Sequence, residues 1–70
     1  MIRTYTNKFD VTYSLSTDRG RYIITQTMGK HIRQVTVPKS ELCYIRECSD
    51  HEFEQWFISE DIERRMKSVG

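Results

Sequence analysis

The sequence predicts an α+β fold: a three-stranded antiparallel β-meander packed on one face by one or two C-terminal helices. Three observations predict it. Residues 9–16 alternate apolar and polar without a break, as a half-buried strand does. Met28-Gly29-Lys30-His31 places a glycine where a two-residue type II′ hairpin needs positive φ. Ser49-Asp50-His51-Glu52 has the hydroxyl and the glutamate of a capping box at the start of a helix.

Residues 2–8 admit two readings. Tyr5 shares the odd-numbered phase of Phe9, so either the first strand begins early or a short edge strand precedes it, with a bulge or bend at Asn7-Lys8. Phe9 to Ser16 is the first clear strand, and Arg21 to Met28 and His31 to Val37 complete the meander with Ile, Val, Thr and Tyr. The Gly29 turn pairs Met28 with His31, Gln26 with Arg33, Ile24 with Val35 and Tyr22 with Val37. Thr17-Asp18-Arg19-Gly20, read as a four-residue loop, pairs Ser16 with Arg21, Leu15 with Tyr22 and Tyr13 with Ile24. Both registers put Phe9, Val11, Tyr13, Leu15, Tyr22, Ile24, Met28, Val35 and Val37 on one face. Period-two alternation would break that agreement if one register were shifted by a single residue.

Pro38 closes the third strand by removing an N–H. Beyond it, Ser40 is placed to cap a short helix from Glu41 to about Cys48, although the same residues fit a fourth strand. A helix from Asp50 follows. Phe53, Trp56 and Phe57 share one of its faces, while Ile58, Ile62, Met66 and Val69 lie on the opposite one. Either the helix breaks near Ser59 and a second one starts there, or it continues and offers the Ile62/Met66 stripe to another molecule. The expected organisation is one domain over residues 1–70, with the sheet in 9–37 and mainly helix in 40–68.

Seventy residues place the chain near the lower limit for a self-supporting core. No apolar run approaches the ~20 residues a membrane-crossing helix needs. The first six residues have no apolar signal-peptide core, and the expected location is cytoplasmic, where Cys43 and Cys48 stay reduced. The net charge of +1 conceals a division: residues 1–40 hold seven Lys or Arg and two Asp, whereas residues 41–70 hold four and eight Asp or Glu. Such segregation suits either an oriented encounter with a charged partner or attraction between the two halves.

Few residues are arranged for chemistry. Cys43, Cys48, His51 and His31 are the only soft-metal set, with marginal zinc spacing and one ligand on a distant hairpin, so no metal is expected. There is no phosphate-binding glycine loop or acid/base pair, and no cofactor or enzyme activity is expected. Gln26, His31 and Arg33 fall on the apolar face, as a polar rim where helical cover ends or as a recognition patch with Lys30.

The leading expectation is a small non-enzymatic regulator or inhibitor that binds a protein partner or a second copy of itself. Its contact residues would be Ile58, Ile62, Arg65 and Met66 on the helix and Lys30 and Arg33 at the hairpin. In size and fold class the chain resembles phage and mobile-element regulators that occupy another protein's surface. The alternative is nucleic-acid binding by the outward sheet face, using Arg19, Arg21, Lys30 and Gln34.

Overall fold

The computed structural model describes residues 1–69 and has an antiparallel sheet of five strands, with helices after the fourth. The elements are β1 (Arg3–Thr6), β2 (Thr12–Asp18), β3 (Arg21–Met28), β4 (His31–Val37), α1 (Lys39–Glu47), α2 (Asp50–Ser59), α3 (Ile62–Arg65) and β5 (Lys67–Ser68). Spatial order follows chain order, so the expected meander gains an edge strand on each side.

The β3–β4 register is the one the Gly29 turn predicts, from Met28↔His31 to Tyr22↔Val37. Gly29 has φ 58°, as a type II′ turn requires. The β2–β3 register differs from expectation by two residues: Asp18 pairs with Arg21, Leu15 with Ile24 and Tyr13 with Gln26. The loop is only Arg19-Gly20, and both residues have positive φ, 54° and 78°, the pattern of a type I′ turn whose twist matches the strands. A shift of two preserves side-chain parity, so the faces stay as predicted although the partners change.

The expected start of β2 at Phe9 is corrected. Asn7 organises residues 7–11 as a loop, its Oδ1 accepting the N–H of Phe9 (2.8 Å) and of Val11 (3.1 Å). Asp10 completes the bend at φ 63°, and Phe9 is 73% exposed rather than in the core. Before this loop, β1 pairs with β2 through Tyr5↔Tyr13 and Arg3↔Leu15, which settles residues 3–6 as a separate edge strand.

Pro38, not Ser40, occupies the cap position of α1, and the helix includes Ser40. Residues 41–48 are therefore not a strand; α1 buries Leu42 and Ile45. The capping box at Ser49 is present in full: Ser49 Oγ accepts the Glu52 N–H at 3.2 Å, and Glu52 Oε1 accepts the Ser49 N–H at 3.1 Å. These bonds, the Ser49 N–H first, hold the Glu52 carboxyl below its ordinary range.

The second apolar stripe is resolved by a break. Asp61 adopts the left-handed conformation (φ 54°, ψ 40°) and turns the chain between α2 and α3. Asp tolerates this region better than most residues. Ser59 does not cap α3, because its hydroxyl donates to the Trp56 carbonyl within α2. Re-aimed by the turn, Ile62 and Met66 join Leu15, Ile24, Val37, Leu42, Ile45, Phe53, Trp56 and Phe57 in one core. Full burial of side chains of this kind contributes roughly 1.5–3 kcal/mol each before entropy is counted. Residues 67–68, expected to be helical, return to the sheet as β5 beside Arg33 and Gln34.

Candidate interaction surface

All the buried helical residues pack against one side of the sheet. Strand alternation and register place Arg3, Tyr5, Tyr13, Leu15, Tyr22, Ile24, Gln26, Arg33, Val35 and Val37 on that inner side. Among the described residues no helix covers the opposite side. Register assigns to this outer face Thr4, Thr6, Thr12, Ser14, Ser16, Thr25, Thr27 and Thr36, the apolar Ile23 and Ile32, the amide Gln34 and the charged Asp18, Arg21 and Lys67.

Part of the charge division is internal. Arg3 Nη2 meets Asp50 Oδ1 at 2.7 Å, and Arg33 Nη2 meets Glu63 Oε1 at 2.8 Å, so two ion pairs join the basic half to the acidic half. Arg3 also donates to the carbonyls of Ile45 (2.9 Å) and Cys48 (2.8 Å), near the negative end of the α1 dipole. Its guanidinium lies 4.9 Å from the centre of the Phe53 ring. Arg3 clamps the edge strand to both long helices, a role that sequence reasoning missed because one arginine in an ambiguous strand carries no pattern. A third pair, Arg64 with Asp61, is local to α3.

On the outer face Arg21 and Lys67 are accompanied by Asp18, while Arg19 and Lys30 stand at the turns and Arg65 on α3. Arg19, Arg21, Lys30, Arg65 and Lys67 are exposed and make no ion pair among the described residues. Arg19 stands at the β2–β3 turn and Lys30 at the β3–β4 turn, at opposite ends of β3. Gln34 is half-buried and donates to Thr25 Oγ1 at 3.2 Å across the strands.

The other residues singled out in the sequence do not form one site. Ile58 is 63% exposed on α2, but Ile62 is 2% exposed and Met66 is buried, so the expected helical contact stripe is corrected: only Ile58 and Arg65 remain accessible. The break at Asp61 is the physical reason. Arg33 is not a free contact residue at the hairpin either. Its Nε (2.9 Å) and Nη2 (2.5 Å) donate to Gln26 Oε1, while Nη2 reaches Glu63. Gln26 is buried and donates in turn to the Tyr13 hydroxyl at 3.3 Å. The trio expected to be a rim or a recognition patch is thus largely an internal network, with His31 left exposed.

Cys43 is exposed, and Cys48 Sγ lies 3.5 Å from Arg3 Nη1. No three His, Cys, Asp or Glu side chains among the described residues are gathered where they could hold a metal ion. No helix among them is long and apolar enough to cross a membrane.

Comparison with protein-family models, with curated proteins and with solved structures gives no match to this chain.

Proposed function

We propose that the chain is a small non-enzymatic binding protein that regulates or inhibits a partner protein by occupying its surface with the outer sheet face. One observation carries this reading: the helices pack behind the sheet, leaving an uncovered face whose cations Arg21 and Lys67, beside the single carboxylate Asp18, make no ion pair among the described residues. Such a face fits a complementary acidic protein surface, steering the approach through charge and adding contact area through Ile23, Ile32 and Thr side chains. Ile62 and Met66 take no part, and self-association through that stripe is not proposed.

Nucleic-acid binding is the second reading, favoured by the same exposed bases now that the acidic helices lie on the far side. Two features weigh against it. Five strands about 4.8 Å apart measure about 19 Å across, whereas the DNA major groove is about 12 Å wide. The aromatic residues Tyr5, Tyr13 and Tyr22 take the inner parity, so the outer face lacks a stacking platform for single strands.

The test is affinity capture from the native host lysate, with and without nuclease, using wild type and Arg21→Glu. A stoichiometric protein band that survives nuclease and is lost with Arg21→Glu supports the proposal. A band retained by Arg21→Glu removes the sheet face from it. Loss of all captured material on nuclease treatment shifts the assignment to nucleic acid, which a steep fall of affinity with salt would then have to match.

A further inference from the structure

The fifth strand covers only part of its neighbour. β5 pairs with Arg33 and Gln34, and the Val69 N–H donates to the Ile32 carbonyl at 2.9 Å. In an antiparallel ladder the peptide groups of alternate residues point to opposite neighbours. The two-residue turn at Gly29 directs those of His31, Arg33, Val35 and Val37 toward β3. Those of Ile32, Gln34 and Thr36 therefore point toward β5. Continuing the β4–β5 register would set Arg65 opposite Thr36, but Arg65 belongs to α3 and the chain has already turned away. Among the described residues no strand pairs with Thr36 on that side, so its N–H and C=O lie at an open edge, within a groove lined by Ile23, Gln34, Arg65, Lys67 and Val69.

No Asp or Glu lines that groove, and its two cations make no ion pair among the described residues. Exposed edge peptide groups pair readily with an incoming extended chain. We infer that the groove takes an extended acidic segment of the partner protein, which meets the Thr36 peptide group with its backbone and Arg65 and Lys67 with a carboxylate. The inference rests on the binding-protein reading above and assigns the partner's contacting segment: extended, with an acidic side chain facing Arg65 and Lys67. Main-chain pairing supplies the docking and the carboxylate supplies the selectivity, as in other strand-addition complexes.

The test uses a blocked octapeptide of alternating Glu and Thr, added to the isotope-labelled full chain and followed by amide NMR. A Lys–Thr octapeptide is the control. The inference expects saturable shifts centred on Gln34, Thr36 and Lys67, slower hydrogen exchange at the Thr36 amide, and no such response to the control. Arg65→Glu/Lys67→Glu, checked for a native-like spectrum, is expected to weaken binding at least tenfold. Equal shifts with both peptides, shifts centred on Arg19 and Arg21 instead, or undiminished binding by the double variant would each overturn it. If these fail while Arg21→Glu still abolishes partner capture, the groove assignment falls and the binding-protein reading stands; if capture is also unaffected, both fall.

Discussion

Arg33 donates two hydrogen bonds to the single side-chain oxygen of Gln26, a buried amide 2% exposed at the centre of the inner sheet face. Cross-strand neighbours on β3 and β4, they convert a polar position in the apolar layer into a tie between the sheet and α3, because Arg33 also holds Glu63. No buried side-chain nitrogen or oxygen among the described residues lacks a partner. The network is therefore costly to open at one member, since each group left behind would be desolvated and unpaired.

Gln26→Ala is accordingly expected to destabilise the fold by about 2–3 kcal/mol, through the hydrogen bonds lost at Arg33 Nε and Tyr13 and the space left behind. In a domain of this size that corresponds to a fall in Tm on the order of 10–20 °C. Thermal unfolding followed by circular dichroism measures it. A change near zero would mean that water replaces the amide without penalty and that the network is not a structural tie.

The status of the α3 stripe gives a second prediction. Ile62→Ala should cost about 2–4 kcal/mol in denaturant unfolding, the usual range for a buried large-to-small change. Ile58→Ala, on the exposed side of α2, should stay within about 0.5 kcal/mol of wild type. Comparable small effects at both positions would show that Ile62 is not held in the core.

How far the sequence reveals this fold depends on where turns are marked by residue chemistry. The β3–β4 register is legible because Gly29 admits few turn types. The β2–β3 register is not, because Thr17-Asp18-Arg19-Gly20 satisfies the composition rules for a four-residue loop while the actual turn needs Arg19 in the left-handed region. Alternation overextends at Phe9 and Val11, since the Asn7 side chain, which builds the loop, leaves no periodic trace. The helix break has no Gly or Pro to announce it, only Asp61, and so the core and interface readings of Ile62 are equivalent in sequence. The open face of the sheet is legible as a polar face. The groove beside Thr36 is not, because it depends on β5, two residues long and without a pattern of its own.

The β2–β3 turn supplies a third prediction. Arg19 is held at φ 54° beside Gly20. For most side chains that region costs roughly 1–2 kcal/mol, and Asn is among the residues that tolerate it. Asn-Gly is also the preferred pair for a type I′ hairpin. Arg19→Asn should therefore raise stability by about 0.5–1 kcal/mol, seen as a higher denaturant midpoint with an unchanged slope. Unchanged or reduced stability would show that the arginine side chain contributes more to the fold than its turn geometry costs.

The last prediction concerns alkaline pH. The Tyr5 hydroxyl donates to Glu54 Oε2 at 2.5 Å, joining β1 to α2. Ionising the phenol would break that bond and set two negative groups against each other. The hydrogen bond to Glu54, then desolvation, then the carboxylate charge push the Tyr5 pKa up to about 12. An unfolded tyrosine ionises near 10, so the folded state holds this proton more tightly. The contribution is present in full below about pH 10, declines as pH rises toward 12, and is lost above it. In Glu54→Gln the Tyr5 ring resonances should titrate closer to pH 10, and the alkaline loss of stability should flatten. Titration of Tyr5 near 10 in the wild-type protein would show that the bond does not hold the edge strand to α2 in solution.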